Sequence, residues 1–485
     1  MPRLRLKALR LTLVAGVAVA LSGVAAAPAS AHSPFHIGLS NPGGIASEYF
    51  TQTRATGSEF VRVPLDWRVV APASRPSSWD PEDPSDPNYD WGDFDEAVRN
   101  AVAAGLKPLL IVDGGPTWAM QCESPSFVEV PVCDPRPEDL RQFAIAAARH
   151  FGGGVPGVPR VKYWQGLNEP NLSLFFLPQY ETNGKAVSPR LYRALINSFY
   201  SGIKSVSKSD VVIAAGLGPI GVPKYTIAPL RFARELLCMS GGAHPHPRGN
   251  GCAGGVHFDI FAIHPYTTGA PTHKGGHNDV ELGDLPNLQK LIVAADRAGH
   301  IKGMDRRTPL WITEFSYDTK PPDPGGLPMK IATRWVAESL YVAWKAGVEN
   351  FFWFSLMDEP EGSSGWPNSL QSGFYFNAND PGAAKPKPSR AAFLFPFVAY
   401  PGKELTYWGH TPYGRRGKVE IQILQGGRWK TVAGAKTAAD GTFHGGAQTG
   451  YGRGERGQAR AVSHGVASPA FSMKPVPDFK QRPFG

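Results

Sequence analysis

Two segments of the sequence each carry a glutamate at the end of a mainly apolar run. Glu169 ends the segment WQGLNE (164–169), and Glu314 ends the segment WITE (311–314). A carboxylate beside apolar residues is costly unless it is partnered or solvated. Two carboxyl groups with different pKa values, one protonated and one ionised, are what glycoside hydrolysis requires. Taken alone, Asn168-Glu169-Pro170 can also be an ordinary loop turn, and the second glutamate argues against that alternative.

These two glutamates belong to a repeating pattern of strands and helices. Eight apolar runs predict strands, at Phe35–Ser40, Glu59–Pro64, Lys107–Asp113, Val161–Asn168, Asp210–Leu217, Phe258–His264, Leu310–Glu314 and Asn350–Ser355. Helical spacing predicts helices between and after them, at Phe94–Ala104, Leu140–Phe151, Leu191–Val206, Leu230–Met239, Leu288–Ala298, Ile331–Ala346 and Ser389–Phe395.

Eight strands that alternate with helices predict an α/β fold with a parallel sheet, closed into a (β/α)8 TIM barrel. An open doubly wound sheet is the alternative. No G-x-G-x-x-G motif follows the first strand, which weakens the case for a dinucleotide site. In a barrel, Glu169 and Glu314 would close strands four and seven. They would therefore face each other across the C-terminal mouth, where barrel enzymes carry their active sites.

The barrel sequence resembles the glycoside hydrolases of clan A, especially families 5 and 39. Their signature is Asn-Glu-Pro closing strand four and a second glutamate closing strand seven, and Glu169 and Glu314 match these positions. The resemblance covers roughly residues 35–400. It implies a retaining mechanism, with Glu169 as acid/base and Glu314 as nucleophile. Further matches are Arg62 in FVRV (60–63), His264 and Tyr266 in IHPY (263–266), and Trp353 in FWF (352–354).

The resemblance also implies roles for the residues around the two glutamates. Arg62 and Tyr266 would hydrogen-bond Glu314 and keep it ionised. Asn168 would bind the sugar 2-hydroxyl, and His264 would tune Glu169 or orient Tyr266. A buried structural histidine is the alternative for His264.

Three aromatic or acidic positions extend the predicted substrate site. Trp353 would offer a flat face to the sugar, with core packing as the alternative. Asp113 ends strand three, where many clan members carry a histidine, and it either reaches the sugar or begins a turn. Trp118, in the loop after that strand, is the aromatic side chain most expected to contact substrate, although loop aromatics also cap barrel rims.

The N-terminus and the cysteines indicate export from the cell. Residues 1–31 combine a basic start, an apolar stretch and a small-residue cleavage site, which predicts a signal peptide, with a membrane anchor as the alternative. Export permits disulfides. Four cysteines allow three pairings, and the simplest pairing is local, within each of two short loops: Cys122 with Cys133, and Cys238 with Cys252. We expect a secreted, extracellular protein.

A chain of 485 residues is too long for one ordinary domain. We therefore predict a catalytic domain over 32–402 and a small C-terminal domain over 403–485. Alternating strands and a Gly426-Gly427 turn predict an Ig-like β-sandwich there. This segment carries 13 Lys and Arg against 5 Asp and Glu. Such a charge suits anionic cell-surface polymers, and solubility alone is the alternative.

The sequence as a whole predicts a secreted retaining glycoside hydrolase that acts on a carbohydrate substrate as a monomer. No metal-binding constellation is visible, no cofactor is expected, and nucleic acid is an improbable partner outside the cell. A non-catalytic carbohydrate-binding protein on a hydrolase barrel is one alternative, and a transglycosylase with the same machinery is another. The sequence does not identify the sugar.

Overall fold

The computed structural model of the protein describes residues 33–123, 132–249, 252–304, 306–362, 365–366, 369–448, 457–477 and 479–480. The predicted signal peptide, 1–31, lies outside these residues and stays a prediction. Among the helices of the described ranges, none combines the length and the apolar character needed to cross a bilayer.

Eight parallel strands form a closed barrel, as predicted, so the alternative of an open sheet is wrong. They are β1 His36–Ser40, β2 Phe60–Asp66, β3 Lys107–Asp113, β4 Tyr163–Gly166, β5 Val211–Leu217, β6 Ile260–Ile263, β7 Leu310–Ile312 and β8 Val348–Phe354. The barrel closes where β1 pairs with both β2 and β8.

Nine helices of the described chain accompany the strands. They are α1 Ser47–Ala55, α2 Trp67–Val70, α3 Gly92–Ala103, α4 Pro137–Arg149, α5 Ser188–Val206, α6 Pro229–Leu236, α7 Leu285–Arg297, α8 Met329–Lys345 and α9 Pro388–Leu394. The seven predicted helices are all present. The sequence patterns did not predict α1 or α2.

The inside of the barrel is filled by side chains below its mouth. One buried cluster consists of Phe60, Leu109, Val211, Ile213, Ile260, Ala262, Trp311 and Phe352. Gly38 on β1 leaves room for this filling, because a Cβ there would lie 2.7 Å from the Phe352 ring. Since the interior is packed, a ligand has access only at the rim, where the strands end.

The C-terminal part of the chain forms two antiparallel sheets, as predicted for a β-sandwich. One sheet contains β9 Phe397–Tyr400, β10 Leu405–His410 and β13 Thr442–Ala447; the other contains β11 Lys418–Gln425, β12 Arg428–Lys436, β14 Gln458–Ser463, β15 Val466–Ala467 and β16 Phe471–Ser472. Gly426 and Gly427 both have positive φ, 56° and 74°, and form the predicted hairpin turn between β11 and β12. The β9 strand lies before residue 402 yet pairs with β10.

These sheets pack against helix α8 of the barrel. Trp408 on β10 lies 5.8 Å from the Tyr341 ring and 5.7 Å from the Trp344 ring, measured between centroids. Arg334 on the same helix donates to the backbone oxygens of Ser472 and Lys474 at 2.6 and 2.8 Å. The sandwich is therefore joined to the barrel by apolar and polar contacts together.

The four cysteines form two local disulfides, the simplest of the three pairings. Cys122 bonds to Cys133 and Cys238 bonds to Cys252. The first closes the loop after β3, and the second closes the segment after α6. Three pairs of two-residue strands also lie in the loops: Met239–Ser240 with His246–Pro247, Val256–His257 with Ile301–Lys302, and Thr319–Lys320 with Leu327–Pro328.

Candidate active site

The two glutamates meet at the C-terminal mouth of the barrel. A carboxylate oxygen of Glu169 and one of Glu314 lie within 4.8 Å of each other. Both residues follow the ends of their strands rather than closing them, because β4 ends at Gly166 and β7 ends at Ile312. Glu169 has φ of +38°, a left-handed backbone that costs a non-glycine residue about 1 kcal/mol or more.

Glu314 is held by donors on both carboxylate oxygens. Arg62 Nη1 donates to Oε1 at 2.6 Å, and the Tyr266 hydroxyl donates to Oε2 at 3.1 Å. Burial opposes ionisation of this carboxyl, but the charges of His264 and Arg62 and these hydrogen bonds outweigh it. The pKa of Glu314 is consequently lowered from its usual value. The predicted contacts of Arg62 and Tyr266 with Glu314 are present.

Glu169 has the opposite character. Its side chain is buried, and burial is the main cause that raises its pKa above the usual value. His264 Nδ1 lies 2.8 Å from Glu169 Oε1 and partly offsets the effect of burial. The site therefore combines a carboxyl group that favours the protonated form with a neighbour that favours the ionised form.

Arg62 organises the site through every part of its guanidinium group. Besides its bond to Glu314, Nη1 donates to Ser40 Oγ at 3.1 Å and Nε donates to Gln165 Oε1 at 2.8 Å. Nη2 donates to Asn168 Oδ1 at 2.8 Å, which leaves the Asn168 Nδ2 amino group for a ligand. The sequence motifs did not predict Ser40 or Gln165 as site residues.

His264 connects Glu169 to strand β7. Its Nε2 lies 2.9 Å from Thr313 Oγ1, while Nδ1 faces Glu169 and lies 3.7 Å from Glu314 Oε2. Both ring nitrogens thus have polar neighbours, which fixes the orientation of the ring between the carboxylates. Thr313, next to Glu314, was not predicted as a site residue.

Trp353 is not part of the site, which corrects the prediction of a sugar platform. It is 2% exposed, stacks on Phe374 at 5.0 Å and donates from Nε1 to Ser372 O at 2.7 Å. The reason is strand phase, since Phe352 on β8 points into the barrel and its neighbour must point out to the helices. Phe354 shares the inward phase of Phe352, is half-buried and pairs in register with Ser40.

Asp113 lies at the C-terminal end of β3, near enough to Arg62 and Glu314 for their charges to act on it. It is half-buried, and its register partner on β2 is Asp66. Its Oδ1 accepts a hydrogen bond from the Gly114 backbone at 2.9 Å. Burial is the main cause that raises its pKa to about 6, and the nearby charges of Arg62 and Glu314 act on it in opposite directions.

Trp118 lies in an aromatic cluster on the rim. Its ring centroid is 5.3 Å from that of Trp79 and 6.2 Å from that of Trp67, and Nε1 donates to Pro72 O at 2.8 Å. No contact with Glu169 or Glu314 is present among the described residues. These contacts suit the alternative of a residue that caps the barrel rim, and contact of Trp118 with substrate stays a prediction.

A metal ion would find only one cluster of donors in the described part of the chain. Glu169, His264 and Glu314 each offer one ligand atom, and these three atoms lie within 4.8 Å of one another. In the structure His264 Nδ1 is within hydrogen-bond distance of Glu169 Oε1, and the Tyr266 hydroxyl donates to Glu314 Oε2.

The fold of this chain is similar to that of several solved structures. The sequence matches no family model and no curated protein. Among solved structures, a family 39 glycoside hydrolase from Bacteroides cellulosilyticus matches with a TM-score of 0.51 and 16% identity, covering 86% of this chain and 79% of that one. A family 39 β-xylosidase from Caulobacter crescentus matches with a TM-score of 0.51 and 17% identity, over 82% and 84% of the two chains.

A monomeric β-xylosidase from the same species matches with a TM-score of 0.50 and 14% identity, over 86% of this chain and 96% of that one. The chain has the fold of family 39 glycoside hydrolases. At these identities the likeness concerns the fold alone.

Proposed function

We propose that the protein is a retaining glycoside hydrolase, with Glu169 as acid/base and Glu314 as nucleophile. The observation that carries the proposal is the pair of carboxylates at the barrel mouth, with oxygens within 4.8 Å and opposite pKa directions. Retaining enzymes hold their carboxyl groups about 5–5.5 Å apart, whereas inverting enzymes need about 6.5–9.5 Å to admit water. The spacing supports double displacement.

In the first step, Glu314 attacks the anomeric carbon while Glu169 gives its proton to the leaving oxygen. The lowered pKa of Glu314 favours an ionised nucleophile, and the raised pKa of Glu169 favours a protonated acid. The leaving alcohol departs neutral, and a covalent glycosyl-Glu314 ester remains.

In the second step, Glu169 acts as a base. It takes a proton from water, which attacks the anomeric carbon from the side of the departed alcohol and releases Glu314. In this proposal the Asn168 side chain, whose Oδ1 accepts from Arg62, uses its amide N–H to bind the sugar 2-hydroxyl as positive charge develops on the ring. Phe354, rather than Trp353, supplies the apolar face for the sugar in this proposal.

The test combines product analysis with trapping of the intermediate. A panel of aryl glycosides, beginning with xylosides and glucosides, identifies a sugar that is hydrolysed. Proton NMR of the first product then shows whether the anomeric configuration is kept. A 2-fluoro derivative of that glycoside should label Glu314, as seen by peptide mass spectrometry, and Glu314→Gln should abolish nearly all turnover. An inverted product, or full activity of Glu314→Gln, contradicts the proposal, as does loss of activity on metal chelation.

We also propose that the protein is exported and acts as a monomer. The two disulfides support an oxidising compartment, and the fold match to a monomeric β-xylosidase supports the oligomeric state. Sedimentation of the purified protein tests the second statement.

We propose in addition that the basic C-terminal domain, with its boundary near residue 402, binds an anionic polymer. Exposed Lys418, Lys430 and Lys436 on the neighbouring strands β11 and β12 support this. Retention on a heparin column should weaken with salt and in Lys418→Glu/Lys436→Glu. Retention equal to that of the parent contradicts it.

A further inference from the structure

The loop that follows β5 begins and ends beside the proposed acid. Asn171, two residues after Glu169, is fully buried, and its side-chain amide donates to Gly218 O at 3.1 Å and to Ile227 O at 3.0 Å. The backbone of Gly218 donates back to Asn171 Oδ1 at 2.8 Å, and Ile227 N donates to Asn171 O at 2.9 Å. The loop from Gly218 to Ile227 is therefore fastened at both ends next to Glu169.

The first residue of this loop passes close to the Glu169 carboxyl group. A Cβ added to Gly218 would lie 3.3 Å from Glu169 Oε1 and 2.6 Å from Leu172 Cδ1. A side chain at this position would therefore have to displace Leu172 and would press against the Glu169 carboxyl group. The loop thus starts next to the proposed acid.

The loop and its neighbour expose apolar side chains. Ile220 and Val222 are each 45% exposed, Tyr225 is 67% exposed, and Leu174 in the loop after β4 is 39% exposed. Eight large apolar side chains are exposed in the described part of the chain, and half of them lie in these two loops. Exposed apolar side chains grouped in this way mark a surface that binds a ligand or a partner.

The loop is braced rather than loose. Gly221 N donates to Asp279 Oδ1 at 3.1 Å, Val280 N donates to Pro219 O at 2.9 Å, and the Tyr180 hydroxyl donates to Thr226 O at 3.0 Å. A surface held in place by its neighbours loses little conformational entropy when it binds a ligand.

We propose that Leu174, Ile220, Val222 and Tyr225 bind the leaving group of the substrate, and that this leaving group is an alkyl or aryl alcohol rather than a further sugar. The inference rests on the proposed function, because an acid protonates the leaving oxygen and the leaving group must therefore lie on the side of Glu169. Three aliphatic side chains and one tyrosine offer few partners for sugar hydroxyls, whereas they suit an apolar body.

The test is a series of alkyl glycosides that share one sugar, the best of the aryl panel. Methyl, butyl, hexyl and octyl alcohols differ little as leaving groups but strongly in apolar area. Below the critical micelle concentration, kcat/KM should rise by about tenfold or more from methyl to octyl. The rise should nearly disappear in Ile220→Ser/Val222→Ser/Tyr225→Ser. It should persist in Val466→Ser, a matched control that is 46% exposed on β15.

Three results would overturn the inference while leaving the proposed function intact: a flat series, an equal rise in the triple variant, or a disaccharide cleaved faster than every alkyl glycoside. If the wild type is a dimer and the triple variant is a monomer, the patch serves self-association, and the inference is overturned as well. If no glycoside is cleaved at all, the proposed function itself fails.

Discussion

At the scale of single residues, the site depends on two identical side chains that behave differently. Glu314 has two direct donors, Arg62 and Tyr266, whereas in the described part of the chain the Glu169 carboxyl group has a hydrogen-bond contact with His264 alone. Burial acts on both carboxyl groups, so the donors decide which one is ionised. The roles of acid and nucleophile are thus set by neighbours rather than by residue type.

Removing the acid should separate the two chemical steps. In Glu169→Ala we expect kcat on unactivated glycosides to fall by about 10²–10⁴-fold, because general acid catalysis is lost. Aryl glycosides with good leaving groups should still form the glycosyl-enzyme, and azide should then accelerate its breakdown to a glycosyl azide with the substrate's anomeric configuration. Steady-state kinetics with product NMR check this. Wild-type kcat on alkyl glycosides would refute the assignment of Glu169.

Substitution of Tyr266 should move only the acid limb of the pH profile of kcat/KM. The profile of kcat/KM falls in acid as Glu314 becomes protonated and falls in alkali as Glu169 loses its proton. Tyr266→Phe removes a bond that lowers the pKa of Glu314, so the acid limb should move up by about one pH unit while the alkaline limb stays. Tyr89→Phe, whose hydroxyl bonds Pro81 O, is the control. Movement of the alkaline limb instead would assign Tyr266 to Glu169.

At the scale of secondary structure, alternation along β8 decides which aromatic residue is available to substrate. The motif Phe352-Trp353-Phe354 contains three aromatic residues, and a motif match cannot tell which of them points inward. The buried cluster inside the barrel contains Phe352, so Phe354 has the same phase and Trp353 the opposite one. The prediction for Trp353 was wrong because it took residue type without strand phase.

Separate substitutions of Phe354 and Trp353 should affect catalysis and stability differently. Phe354→Ala should lower kcat/KM by about tenfold or more with little change in Tm, because it removes an apolar face at the mouth. Trp353→Phe should lower Tm by several degrees and keep kcat/KM, because it loses the bond to Ser372 and packing in the helix layer. Thermal unfolding and kinetics of both variants check this, and the reverse pattern would restore Trp353 to the site.

Element type was predictable from the sequence, and element boundaries were less so. Apolar runs gave all eight barrel strands, but the helices α4, α5 and α8 begin two or three residues before their first predicted position. In α4 and α5 a proline in the first turn marks the start, ahead of the apolar pattern. Helix α1 was missed because it buries only Phe50 and Thr53 and so has little apolar periodicity.

Part of the candidate site was predictable from the sequence and part was not. Glu169, Glu314, Arg62, His264 and Tyr266 are brought together as the motifs predicted. Ser40, Gln165 and Thr313 carry no motif, and only their contacts with Arg62 and His264 place them in the site. Such partners depend on register between strands distant in sequence, which local patterns do not contain.

At the scale of the whole molecule, the sandwich and the barrel share one core. Trp408, Tyr341 and Trp344 meet between β10 and α8, and Tyr400 donates to Glu338 of α8 at 3.1 Å. We therefore expect a chain ending at residue 402 to aggregate, since it exposes these rings and the unpaired β9 strand. A chain ending at residue 477 is the control. Size-exclusion chromatography checks both, and a soluble, folded 33–402 chain would contradict the expectation.

This shared core should also make stability depend on pH. His410 on β10 is fully buried, and burial lowers its pKa despite the opposing charges of Glu59 and Asp440, while His36 acts in the same direction as burial. Because its pKa in the folded state lies below the unfolded value of about 6.5, protons favour unfolding, and stability falls as pH drops below that value.

The variant His410→Phe should therefore lose less Tm between pH 7.5 and 5.5 than the wild type. The variant His244→Phe, at an exposed histidine, should show the wild-type dependence. Equal slopes for all three proteins would exclude His410 as the origin.

The residue before the first barrel strand is hydrogen-bonded to a residue of the C-terminal sheets. The backbone N–H of Phe35, just before β1, donates to Asp440 Oδ2 at 2.8 Å across 405 positions, and β1 also pairs with β8. During synthesis, the first strand emerges long before either of these partners exists. The contacts on this side of β1 are therefore completed late, after most of the chain has been synthesised.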